Sequence, residues 1–421
     1  MKQLSIALLC GAFLFGLAHG GDEVAKKETT RESPELRPIE PFVKNALVWL
    51  VKAQHESGGW GAGSHAKQQI RDPRAVQTDP ATTAFTVMAL IRAGNTPTSG
   101  EYKDAVRHAT EYLVKLVEIA PEKGPKITTL TGTQPQQKLG HLVDTSMTVQ
   151  LLSRVLPMLP KEDALRARVD TALDKCLTKL ENSQATDGSW AGGGGWAPVL
   201  QSSLGCSALE LALVAGKNVD GAKLALARSY QRGNFDAKTG KVKADKAAGI
   251  DLYAFAGSSR GGAGQARAAN EIVNKAKREG KVAEDAEVSK ETLEAAGVST
   301  NAAIGLAGAA TASRKQIARL DDEKMLAGFG NNGGEEYLSY MMTSESLIIT
   351  GDKKFKDWND KMHQRLKKIQ SKDGSWTGHH CITSPVFCTA AVVQCLTTDR
   401  DAAVLVKIST KEEASATAAK K

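Results

Sequence analysis

The chain has 421 residues, 41% hydrophobic and 24% charged, with 39 Gly and 13 Pro. That balance belongs to a globular protein and excludes a disordered, collagen-like or wholly membrane-embedded one. The formal net charge of +8 is thinly spread, with no dense Lys/Arg block between Pro41 and Thr398, so no nucleic-acid partner is expected.

At the N-terminus, Lys2 precedes an apolar run over residues 5–18 that ends in Ala18-His19-Gly20. The run is short and early for a transmembrane helix, and small residues stand at the −3 and −1 positions of a cleavage site. Residues 1–20 therefore read as a signal peptide cut after Gly20, which implies export to the periplasm or the extracellular space. No later run is long and apolar enough for a stable membrane span. Residues 21–40 are charged and aperiodic, a flexible leader. The cysteines left after cleavage, Cys176, Cys206, Cys381, Cys388 and Cys395, are odd in number and sparse, which is no disulfide framework.

The body is built on a repeat. QHESGGW at Gln54–Trp60, QATDGSW at Gln184–Trp190 and QSKDGSW at Gln370–Trp376 share Gln, Gly and Trp at one spacing, each after an amphipathic helical stretch. Asp-Gly and Gly-Gly mark the turns. A second, almost wholly apolar helix begins near Thr83, Thr145, Ser207, Thr300, Ser344 and Thr389. The amphipathic partners are Phe42–Ala53, Glu101–Glu118, Lys161–Glu181, Val219–Arg232, Arg314–Leu326 and Lys353–Ile369. Six buried helices alternating with six amphipathic ones predict an all-α fold, an (α/α)6 toroid over residues 41–400. Residues 233–297 read as an insertion, with Ser258–Gln265 a flexible glycine-rich loop and helices at Gly264–Arg278 and Lys290–Ala296. Residues 401–421 read as a flexible tail, and strand content should be negligible.

WLVKAQHESGGW, Trp49–Trp60, resembles the QW repeat of squalene and other triterpene cyclases. The copies ending at Trp190 and Trp376 keep Leu180 and Leu366 but carry Lys179 and Arg365 in the aromatic position. The chain thus resembles the squalene cyclase/prenyltransferase repeat superfamily, whose fold is an α/α toroid of the terpenoid-cyclase type. The resemblance also implies where that chemistry should sit. Class II cyclases carry DxDDTA, whose middle Asp protonates the substrate. Here DPATTA puts Asp79 first and Ala81 at the donor position, and HLVDTS keeps Asp144 with Val143 at the donor position. Neither copy can supply that acid. With only 6 Trp, 6 Tyr and 9 Phe, aromatic faces to shield a carbocation are few. The Asp-x-Cys of prenyltransferase zinc sites is absent. His379, His380 and Cys381 are adjacent, and adjacent residues cannot readily all face one tetrahedral ion, so no metal and no other cofactor is expected.

The remaining candidates cluster on the loops that lead into the apolar helices. Asp144, Glu335, Glu336 and His380 are the candidate catalytic groups, and Trp196, Tyr337 and His379 the candidate ligand contacts. Glu210, inside an apolar helix, needs a charged partner. In a toroid of alternating hairpins these loops ring one mouth, where helix N-termini favour an oxygen-rich, polar ligand. The expected function is a non-cyclase binding or scaffold toroid with an unknown polar ligand or envelope partner. An envelope lyase or hydrolase acting on carbohydrate or lipid is the alternative, with a divergent cyclase or prenyltransferase behind it. The oligomeric state is left open.

Overall fold

The computed structural model describes residues 36–330 and 332–411; the expected signal peptide and most of the leader lie outside them. The helices are α1 Pro41–Lys52, α2 Pro80–Arg92, α3 Lys103–Ile119, α4 Gln134–Leu139, α5 Val143–Val155, α6 Ala164–Asn182, α7 Pro198–Val214 and α8 Gly221–Arg232. They continue with α9 Asp251–Arg278, α10 Lys290–Ala295, α11 Thr300–Ile317, α12 Glu323–Leu326, α13 Gly334–Thr350, α14 Lys354–Lys367, α15 Pro385–Leu396 and α16 Ala402–Leu405. One short hairpin, β1 Phe235–Asp236 and β2 Lys241–Val242, pairs Phe235 with Val242.

Six helices form a closed inner ring: α2 packs on α5, α5 on α7, α7 on α9, α9 on α13, α13 on α15, and α15 back on α2. Almost every residue of α2, α5, α13 and α15 is buried, as their lack of a polar face requires. The helices α1, α3, α6, α8, α11 and α14 pack outside them. Each buries one stripe and turns most of its charges to solvent, Lys179 of α6 and Arg228 of α8 excepted. The expected all-α toroid is therefore present.

The three QW motifs do the same work three times. Each Trp is fully buried. Its Nε1–H donates to the carbonyl ten residues back: Leu50 at 2.7 Å, Leu180 at 2.9 Å and Leu366 at 2.9 Å. Its backbone N–H donates to a hydroxyl on the following inner helix, Thr83, Ser202 or Thr389. Each Gln amide bridges its own turn and the first turn of the next outer helix: Gln54 to Ala105, Gln184 to Lys223 and Gln370 to Phe42. The last of these ties α14 to α1 and closes the outer layer. Lys179, in an aromatic position, donates to the carbonyls of Pro121, Glu122 and Gly124.

The segment 233–297 departs from its reading as an insertion. Asp251–Arg278 is one continuous helix and the fourth member of the inner ring. Its SSRGGAGQ stretch is mid-helix and largely buried, not a flexible loop. The glycines are there for contact. A Cβ on Gly257 would stand 2.8 Å from Val199 Cγ2, on Gly261 2.4 Å from Gln231 Cβ, and on Gly264 2.9 Å from Ile408 Cγ2. The helix expected at Thr300 as an inner element is instead the outer partner of α9, with which it builds a small second core around Ala269, Ile272, Leu293 and Leu306. Residues 401–411 also differ from the flexible tail expected of them: Asp401, Leu405 and Ile408 are buried. Residues 412–421 lie outside the described part.

Candidate functional site

The N-termini of the inner helices meet at one end of the ring, held there by side chains that cross from helix to helix. Asp79 is the N-cap of α2: Oδ1 accepts from Thr82 N at 2.8 Å and Oδ2 from Ala62 N at 2.8 Å. Asp144, in the first turn of α5, accepts from Ala81 N at 3.1 Å and from Gln136 Nε2 at 2.7 Å. Two aspartates therefore serve the start of one helix. On the far side, Glu336 Oε2 accepts from Gly333 N at 2.9 Å, and its Oε1 from Phe329 N at 3.1 Å and Tyr253 OH at 2.6 Å. Glu335 Oε2 accepts from Ile382 N at 3.2 Å. His380 Nε2 lies 3.6 Å from Glu336 Oε2, and the Phe329 ring lies tilted against it, 5.1 Å between ring centres.

Burial sets the ionisation of this group. Asp79 is pushed up to about 6, chiefly by desolvation, against the hydrogen bonds from Thr82 and Ala62. Asp144 rises to about 7, from desolvation and then the charge of Asp79. Glu335 rises to about 8, from desolvation and then the charge of Glu336, with Lys138 opposing. Desolvation and the Glu335 charge push the Cys381 thiol up to about 12. Cys381 has φ +57°, a left-handed conformation costly for a residue with a side chain.

Loops lie across this end. Ser64 pairs with Thr133, and Gln134 N donates to Gly63 O. Gln134 Oε1 accepts from Thr383 N at 2.7 Å and Ser384 N at 3.1 Å. Arg71 donates to the Thr383 carbonyl and Gln68 to that of Cys381. His379 N donates to Asn332 O, and Trp196 N to Lys138 O. The expected mouth is therefore roofed. Asp144, Glu335, Glu336 and Tyr337 are buried beneath the loops, whereas Trp196 and His379 are exposed and His380 is half-buried. Glu335, Glu336 and His380 come together, Asp144 stands apart with Asp79, and Trp196 lies under the Lys138 ammonium, 3.3 Å from the ring centre. Tyr253 was missed because its helix was read as part of an insertion, and Lys138 and Gln134 carry no motif. Asp79 was visible as the first residue of DPATTA.

The other half of the ring is spanned by charge. Arg260 joins Glu210 at 2.6 Å and Glu345 at 2.7 Å. Glu210 also takes Arg228, and Glu345 takes Arg92. Asp401 takes Arg92 at 2.9 Å and Arg154 at 2.5 Å. All seven are buried, and Glu345 and Asp401 are held below the ordinary carboxylate range because the charge and hydrogen bonds of their arginines outweigh desolvation. Glu210 thus has the partner its position demanded. Among the described residues, no group of three or more His, Cys, Asp or Glu is placed to hold a metal ion, and no helix is long and apolar enough to cross a membrane.

Residues 32–133 match the family model of the squalene-hopene cyclase C-terminal domain. The three QW motifs and the helical ring agree with that match, so the chain is similar to squalene cyclase/prenyltransferase-repeat proteins. No curated protein matches the chain.

Proposed function

We propose that the chain is an exported, non-cyclase toroid that binds a polar ligand or envelope partner on the roofed end of its inner ring. One observation carries this reading: the cyclase donor position is Ala81, and the carboxylate beside it, Asp144, is engaged by the Ala81 N–H and by Gln136. A carboxyl that closes a helix end is not aimed at a substrate. The buried Arg–Glu chain across the ring supports the same reading, since a carbocation cavity calls for apolar and aromatic walls. Trp196 and His379 remain on the outer face of the roof as ligand contacts.

Mature protein incubated with squalene, oxidosqualene or geranylgeranyl diphosphate should give no cyclised product. Product above a boiled control overturns the reading. On glycan and lipid arrays, binding should fall on Trp196→Ala and His379→Ala. N-terminal sequencing of exported protein should begin at Gly21-Asp22, and a retained Met1 would sink the export claim.

The second reading, an envelope lyase or hydrolase, is favoured by Asp79, Asp144 and Glu335, whose ionisation near neutrality suits proton transfer. Turnover of pooled envelope polysaccharides that is lost in Glu335→Gln would establish it.

A further inference from the structure

Outside the roof, the turn between α3 and α4 forms a groove that neither the repeat nor the helix N-termini explain. Its volume is about 540 Å³, and its walls include Leu116, Ile119, Pro121 and Ile127, with Lys123 and Lys126 beside them. That volume falls within the range of about 300–1,000 Å³ usual for small-molecule sites. Ile119, at the end of α3, is 80% exposed and lines this groove.

The groove is built rather than loose. The buried Lys179 ammonium gathers the carbonyls of Pro121, Glu122 and Gly124 around itself. Lys175 holds the Ala120 carbonyl at 2.6 Å and the Glu122 carboxylate at 2.6 Å. Thr145 Oγ1 anchors the Pro125 carbonyl from α5 at 2.8 Å. Glu122 is thereby drawn to Lys175. Among the described residues, neither Lys123 nor Lys126 has an ion-pair partner, and both are exposed. An apolar groove with two exposed ammonium groups beside it is complementary to an amphiphile with a single anionic head.

We propose that this groove binds a free long-chain carboxylate, its alkyl chain along Leu116, Ile119 and Pro121 and its head group at Lys123 and Lys126. The groove is concave, which suits a free chain rather than a bilayer surface. The proposal does not depend on the proposed function, although Lys126 also acts electrostatically on Asp144.

The test is calorimetric titration of the full chain with dodecanoate below its micellar concentration, beside 1-dodecanol and phosphatidylglycerol vesicles. Saturable dodecanoate binding is expected. Ile119→Asp should weaken it at least tenfold. The double variant Lys123→Ser/Lys126→Ser should weaken dodecanoate at least tenfold and leave 1-dodecanol unchanged. The substituted side chains are exposed, so both variants should melt as the parent does. Absence of saturable dodecanoate binding, binding indifferent to both variants, or binding to vesicles alone would each overturn the proposal.

Discussion

Asp144 shows how one buried carboxyl couples structure to pH. Its hydrogen bonds with Ala81 and Gln136 fix its place, yet burial and the Asp79 charge lift it to about 7 from an ordinary 3.8. The folded chain therefore holds a proton that the unfolded chain has already lost over about pH 4 to 7. Stability from this group is full below that window and declines as pH rises through it. Asp144→Asn keeps an acceptor for the Ala81 N–H without a charge. The variant should gain on the parent as pH rises from 4.5 to 7.5, by about 1–3 kcal/mol at the upper end, at roughly 1.4 kcal/mol per pH unit. Urea midpoints at three pH values check this, and a difference that does not change with pH would contradict it.

At the scale of elements, α9 carries the sharpest contrast between neighbouring positions. Gly261 lies against Gln231, where a Cβ would stand 2.4 Å from another Cβ, whereas Gly262 meets only Arg232 Cγ at 3.9 Å. Gly261→Val should cost about 1–3 kcal/mol by overpacking, and Gly262→Ala should stabilise by roughly 0.5–1 kcal/mol through helix propensity. Equal effects would deny that the glycines differ in role. Trp190→Ala and Trp376→Ala should each cost about 3–5 kcal/mol, because a filled ring site is emptied, and thermal melts would show it. The QW copies were legible because a strict motif has one structural meaning, and most apolar helices were legible by their all-round apolar pattern, though the one at Thr300 proved to be an outer helix. The fourth inner helix was not. Its glycines look like a loop in sequence, because the close approach of Val199, Gln231 and Ile408 exists only after folding. The acidic residues of the candidate site were legible as residues at helix starts, and the roof over them was not. It depends on backbone pairing between loops far apart in the chain, such as Gln134 with Thr383.

Across the whole molecule, the ring is held from inside by ions and from outside by amide bridges. Glu345 joins Arg92 of α2 to Arg260 of α9. Glu345→Gln leaves two buried guanidinium groups short of countercharge and should cost about 3–5 kcal/mol. A loss under 1 kcal/mol in chemical denaturation would show that the arginines find other partners. The closing contacts span nearly the full chain. Gln370 and Phe42 are 328 residues apart, Arg37 and Asp360 323, and Arg92 and Asp401 309. The inner core cannot be completed until the last repeat has left the ribosome, and until then the earlier repeats hold unsealed apolar faces. Such long-range closure makes folding slow and late. A nascent chain of this kind therefore keeps its ring open for the whole of its synthesis, and what seals it is the arrival of its own last residues against its first.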